Sequence, residues 1–134
     1  MKVAVLKETA PGERRVAVVP AGVPALVKAG LSVAIEAGAG TAAGFSDAEY
    51  AAAGSEIVSR NQALAADVVL AVRTCGAAGD AWPGDRDQLR SGTVLVGLCD
   101  PLSATPACRE AAERGVTLFA LELVPRITRA QSMD

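Results

Sequence analysis

Short apolar runs alternate along the chain with segments whose apolar residues recur every three or four positions. Residues 3–6 form the first run, continuously apolar in the manner of a strand buried on both faces. A polar segment follows over 7–15, with Pro11-Gly12 marking a turn, and 16–19 is apolar again. Pro20 then opens a helix at a position where its missing N–H costs little. Val23, Leu26 and Val27 give that helix one buried face, and Gly30 ends it. Residues 31–36 are a second strand, so 2–36 reads as one β-loop-α-β unit.

Gly38-Ala39-Gly40 reads as a tight turn. As a dinucleotide loop it fails, because Ala43 stands where the third glycine belongs and Gly44 comes one residue late. Ser46 and Glu49 form a capping box that starts a short helix through Ala53, closed by Gly54. Beyond it the pattern predicts a brief strand at 56–58, a helix at 62–66 and a buried strand at 68–72. Residues 74–87, rich in Gly, Ala and Asp and holding the only Trp, Trp82, read as a loop, with Leu89 and Arg90 ending a short helix. A strand at 93–98 and a turn at Asp100-Pro101 follow. The next helix, 103–114, has Pro106 in its first turn, Ala107, Ala111 and Ala112 on its inner face, and Gly115 as C-cap; 116–120 is the last strand. Such alternation predicts an α/β fold: three layers, an open and mostly parallel sheet with helices on both faces, in one domain over 1–134. No repeat, low-complexity tract or linker interrupts it.

Composition narrows the chemistry. Of the 134 residues 51% are hydrophobic and 3% aromatic, so Ala, Val and Leu must build the core. A net charge of −2 leaves no sustained basic surface, which argues against nucleic acid as a partner and against a charged membrane surface. The chain has no His, which excludes Ser-His-Asp and Cys-His catalysis and leaves no imidazole as proton shuttle or zinc ligand. Its three cysteines, Cys75, Cys99 and Cys108, lack C-x-x-C spacing and read as reduced thiols of a cytoplasmic protein, Cys75 and Cys99 as small buried hydrophobes. No run has the length of a signal peptide or a membrane-spanning helix.

The closing segment, Pro125-Arg126-Ile127-Thr128-Arg129-Ala130-Gln131-Ser132-Met133-Asp134, sets Arg126, Gln131 and Asp134 on a Pro-initiated loop after the apolar run 116–124. A hydrogen-bonding cluster at the end of a strand is where open α/β sheets bind ligands. A solvated polar tail has the same pattern, and spacing alone leaves both readings open. Arg15 is either an ion-pair partner of Glu13 or Glu8 or a ligand contact. Arg73 and Asp100, at strand ends, are either functional groups or partners in a salt bridge with each other.

Lys7-Glu8, Glu13, Arg15-Val16-Ala17 and Pro20, then Glu36-Ala37-Gly38-Ala39-Gly40 and Gly44-Phe45, resemble the N-terminal domain shared by alanine dehydrogenase and the α subunit of proton-translocating nicotinamide nucleotide transhydrogenase. The resemblance runs over 2–134 and implies a flavodoxin-like or Rossmann-like N-terminal domain. The closing segment is similar to the transhydrogenase loop that lies against the nicotinamide end of NAD(H), which implies cofactor contacts for Arg126, Gln131 and Asp134. In the alanine dehydrogenase branch an Arg, a Lys and a His bind the substrate. Arg15 matches the first, but the lysine position holds Arg73 and the histidine position Asp100.

The resemblance therefore implies an oxidoreductase, the NAD(H)-binding subunit that helps to pass hydride from NADH to NADP⁺ at the NADP(H) site of a partner subunit, coupled to proton translocation. An alanine dehydrogenase-like catalytic domain and a non-catalytic flavodoxin-like interaction module are the alternatives. It also implies a membrane-embedded partner, a homodimer and a place on the cytoplasmic side of the membrane, peripheral to it through partner subunits and without direct insertion. The family's following NAD-binding domain, with its G-x-G-x-x-G turn, is not in this sequence, so the chain is expected to be a fragment inactive by itself.

Overall fold

Each strand in the computed structural model, which describes residues 1–133, is a short run dominated by Val, Ile, Leu and Ala. They are β1 (Lys2–Val5), β2 (Ser32–Glu36), β3 (Glu56–Val58), β4 (Val68–Arg73), β5 (Val94–Leu98) and β6 (Thr117–Ala120). All pair in parallel, in the order β3-β2-β1-β4-β5-β6. Parallel neighbours need crossovers, which contain helices α1 (Val23–Lys28), α2 (Asp47–Ala53), α3 (Arg60–Leu64), α4 (Trp82–Gln88) and α5 (Thr105–Glu113).

Alternate strand residues point to opposite layers. Val5, Val33 and Ile35 meet Val23 of α1 and Tyr50 of α2 on one face. On the other, Ala4, Ala34, Val69 and Leu95 meet Leu64 of α3, Trp82 of α4 and Ala111 of α5. The predicted helices on both faces are present, but not evenly. The Val5–Tyr50 core draws no residue from β5 or β6, and Phe119 of β6 stays 57% exposed, so that face of the last two strands carries no helix among the described residues. No helix among them is long and apolar enough to cross a membrane.

Capping explains where two helices begin. Ser46 accepts from the Glu49 amide at 3.2 Å while Glu49 accepts from the Ser46 amide at 2.7 Å. Ser59 and Gln62 repeat the device, which starts α3 at Arg60, two residues before the predicted helix. The predicted loop over 74–87 is the larger correction: two 3-10 turns, Cys75–Ala77 and Gly79–Ala81, run directly into α4. Pro83 sits in its first turn, where proline is tolerated. The buried Trp82 indole donates to Glu110 Oε2 at 2.9 Å, so tertiary contacts outweigh the weak helix propensity of the Pro-Gly sequence. In α5, Ala111 is buried and Ala112 exposed, so Ala112 leaves the predicted inner face.

One polar network ties α3 and α4 to the sheet. Arg60 donates from Nε and Nη2 to Asp85 at 2.8 and 2.7 Å, and from Nη1 to Glu36 Oε2 at 2.9 Å and to the Lys7 carbonyl at 3.0 Å. Glu36 also accepts from the Lys7 amide at 2.6 Å. A cation with this many charged and polar partners stays ionised despite its burial.

Candidate functional site at the carboxyl ends of the strands

The strand order reverses between β1 and β4, so the loops that leave them diverge beyond their carboxyl ends. The segment after β1 brings Glu8, Glu13 and Arg15 to this edge, β4 ends in Arg73, and β5 leads to Asp100. The β4–β5 register shifts between Leu70 and Arg73. Gly97 allows the close approach there: a Cβ on it would stand 2.5 Å from the Ala71 carbonyl oxygen. The irregularity turns the Val72 and Arg73 amides to the Glu8 carboxylate, at 3.1 and 2.7 Å. Burial pushes the Glu8 carboxyl above its ordinary range, against the pull of those two amides.

Glu13 is the hub of the cluster. Its side chain is 4% exposed and accepts from Arg15 Nε and Nη2, both at 2.8 Å, and from Arg73 Nε at 2.7 Å. The Arg15 hydrogen bonds, with that of Arg73 beside them, hold its carboxyl far below the usual carboxylate range. Arg15 thus takes up the ion pair with Glu13. Arg73 does likewise, and no salt bridge joins it to Asp100 among the described residues, which corrects the pairing considered from sequence. A cleft of ≈ 600 Å³ lies against Arg73, lined also by Thr9, Pro11, Ala78 and Asp80. A second, of ≈ 440 Å³, lies between Arg15, Val72, Leu98, Leu121 and Glu122. Two guanidinium groups face the Glu13 carboxylate with Glu8 beside them, so the formal charges balance, and the planar donor forks are of the kind that bind a carboxylate or amide oxygen.

Beyond β6 the chain forms a 3-10 turn, Leu121–Leu123, then a loop folded on itself. Ile127 N donates to the Pro125 carbonyl at 3.0 Å, and the Ala130 and Gln131 amides donate to the Ile127 carbonyl at 2.9 and 3.1 Å. Arg126 is exposed in this loop, and Gln131, also exposed, opens the 3-10 turn Gln131–Met133. No hydrogen bond joins their side chains to each other or to other described residues. Asp134 lies outside the described residues.

The glycine-rich turn after β2 does not form a phosphate cradle. A Cβ on Gly40 would come within 2.6 Å of the Tyr50 ring and 2.9 Å of Phe45, so the glycine serves the packing of α2 against the sheet. Tyr50 in turn donates from its hydroxyl to the Val18 carbonyl at 2.8 Å. The turn after β2 is therefore a packing element and offers no cradle for a pyrophosphate.

Sequence reasoning missed Glu122, whose carboxylate reaches back from the end of β6 to the amides of Cys99 and Asp100, both within 3.1 Å. Its only local signal is a charge inside an otherwise apolar run. The Glu13–Arg73 pair has no local signal, since 60 residues separate its members.

A parallel sheet in this order, with charged loops at its carboxyl ends, defines a Rossmann-like α/β domain. The chain belongs to the alanine dehydrogenase/PNT N-terminal domain family, whose model matches residues 4–134. It is 40% identical over 136 aligned positions to NAD(P) transhydrogenase subunit alpha of Cereibacter sphaeroides, covering 100% of this chain and 25% of that protein. Over 125 positions it is 38% identical to alanine dehydrogenase of Mycobacterium tuberculosis, covering 92% of this chain and 32% of that one. The crystal structure of transhydrogenase from Sinorhizobium meliloti superimposes with a TM-score of 0.92 at 40% identity, over 100% of this chain and 39% of that chain. The chain thus spans from 25% to 35% of the length of the transhydrogenase subunits it matches.

Proposed function

We propose that this chain is the N-terminal portion of the NAD(H)-binding α subunit of a transhydrogenase that passes hydride from NADH to NADP⁺, coupled to proton translocation. One contrast carries the reading. Arg15 and Arg73, at the positions an alanine dehydrogenase uses for its substrate, are taken up by Glu13, and no imidazole exists in the chain, whereas Arg126 and Gln131 stand exposed, with no side-chain hydrogen bond to other described residues. Direct hydride transfer needs alignment of two nicotinamide rings and no protein proton donor, which agrees with that inventory.

Bound NADH supplies the hydride from its nicotinamide ring. Arg126 offers its planar fork to the carboxamide oxygen, and Gln131 bonds the nicotinamide ribose or the amide. Asp134 accepts from the carboxamide NH₂ and holds Arg126 in place. A further domain binds the remainder of the dinucleotide, and the chain alone is inactive. NADP(H) sits on a partner subunit, a second partner is embedded in the membrane, and the α subunit is a dimer on the cytoplasmic face.

A second reading has one observation in its favour. Arg15 and Arg73 converge on a single carboxylate, so a substrate carboxylate that displaced Glu13 would meet both, as in an alanine dehydrogenase-like domain. The open face of β5 and β6 would serve a non-catalytic interaction module. The complete polypeptide with its partner subunits, assayed for NADH-dependent reduction of an NADP⁺ analogue, separates these. The transhydrogenase reading expects turnover without pyruvate and ammonia; NADH oxidation that requires both overturns it, and no turnover of either kind favours the module.

A further inference from the structure

Backbone amides just past the end of a parallel strand ordinarily face solvent or a ligand. Here β5 ends at Leu98, and Asp100 takes a φ of +50°, the left-handed conformation. The Cys99 and Asp100 amides then converge on the Glu122 carboxylate. Cys99 N lies 3.1 Å from Oε1 and 3.0 Å from Oε2, and Asp100 N lies 3.0 Å from Oε2. The protein's own side chain occupies the place where an anion would be received.

The ladder that holds β6 to β5 ends at the Gly97–Ala120 pair. Within the segment that follows, the hydrogen bonds are internal: Val124 N to Leu121 O, Ile127 N to Pro125 O, and the Ala130 and Gln131 amides to Ile127 O. Among the described residues, the hydrogen bonds that fasten this segment to the rest of the fold are those accepted by Glu122. Its large apolar side chains Leu121, Leu123 and Ile127 are 45%, 56% and 54% exposed, and its buried apolar residue is the small Ala130, 3% exposed.

We propose that Glu122 is a positioning residue: seated on the Cys99 and Asp100 amides, it fixes the direction in which residues 124–133 leave the sheet and thereby places Arg126 and Gln131. This rests on the reading of those two side chains as nicotinamide contacts. Burial works against the charge on Glu122, but the Asp100 and Cys99 amides outweigh it and hold the carboxyl below its ordinary value, so the anchor stays ionised at neutral pH. A glutamine there keeps one acceptor oxygen and turns an NH₂ towards an amide N–H, so it replaces the anchor only in part.

The test has a structural and a functional arm. In the ¹⁵N-labelled 134-residue chain, Glu122→Ala speeds hydrogen exchange at Cys99 and Asp100 and lowers the order parameters of residues 126–132 to below about 0.6, while the amides of Val5 and Leu95 keep their values. Glu122→Gln falls between the variant and the wild type. In the complete enzyme Glu122→Ala raises KM for NADH by about tenfold, the scale of a misplaced contact. Order parameters that do not change overturn the proposal, as does NADH binding unaffected by Glu122→Ala when Arg126→Ala weakens it. If Arg126→Ala also leaves NADH binding unchanged, the nicotinamide reading fails, and with it the placing of Arg126 by Glu122.

Discussion

Arg73, at the carboxyl end of β4, donates from Nε to Glu13 Oε2 at 2.7 Å, across 60 residues of sequence. The same carboxylate holds Arg15, so one buried anion joins the segment after β1 to the centre of the sheet and pairs with both guanidinium groups of this edge. The edge is thereby kept closed at Arg15 and Arg73, while Arg126 remains exposed.

Glu13→Gln tests that closure through stability. The Arg15 and Arg73 side chains are 60% and 46% exposed, so water screens both pairs. Each pair then contributes on the order of 0.5 kcal/mol, and urea unfolding at pH 7 should show a loss of about 1 kcal/mol. The folded-state pKa of Glu13 lies below the ordinary 4.5, so its contribution is full above pH 4.5 and is lost as the pH falls towards the folded value. Variant and wild type should therefore converge in acid. Glu8, raised by burial and in smaller part by the Glu13 charge, contributes the opposite slope, which the substitution weakens. A gap that widens below pH 4.5 contradicts the assignment.

Arg60→Met leaves the Glu36 and Asp85 side chains, only 12% and 9% exposed, without their cation. Removing one partner from such a network costs about 3–5 kcal/mol, and chemical denaturation should show a loss of that size. Adding Glu36→Gln and Asp85→Asn to the variant should restore some of it. A loss as small as that of a surface pair would mean that water reaches the network.

The cysteines should differ sharply in reactivity. Burial pushes the Cys75 and Cys99 thiols up to about 12, and both are fully buried, while Cys108 on α5 is only half-buried. At pH 8 an aromatic disulfide reagent should label Cys108 in the native protein and the other two only after denaturation. Peptide mapping that finds Cys75 modified as fast as Cys108 would refute this.

Arg126→Ala in the complete enzyme should lower the hydride-transfer rate by at least about tenfold, some 1.4 kcal/mol of transition-state stabilisation. Arg15→Ala should have the smaller effect. The reverse order in single-turnover kinetics would favour the alanine dehydrogenase-like reading.

Much of the sheet was legible because its strands are continuous apolar runs bounded by turns, as at 68–72, and a capping box announced α2. The start of α3 was legible too, in the Ser59–Gln62 pair, but the apolar spacing drew the reading two residues late. Residues 74–87 misled because Gly and Pro signal loops locally, whereas the contacts of Trp82 and Arg86 with Glu110 that stabilise α4 come from α5. At the site, the sequence offered Glu13 as a partner for Arg15 and marked Arg73 and Asp100 as strand-end groups, but it paired those two with each other rather than Arg73 with Glu13. Pairing there depends on which loops the strand order brings together, and that order is a property of the whole sheet.

The innermost position of β1 has a consequence in time. The first strand of the sequence pairs with β2 on one side and β4 on the other. During synthesis β2 is complete at Glu36, but β4 begins only at Val68. At ribosomal rates of about 5–20 residues per second the intervening chain takes roughly 2–6 s to emerge. For that interval Val3, Ala4 and Val5 present an unpaired apolar edge, the kind that invites pairing with a neighbouring chain. The residues that end deepest in the sheet are thus the ones that wait longest for their second neighbour.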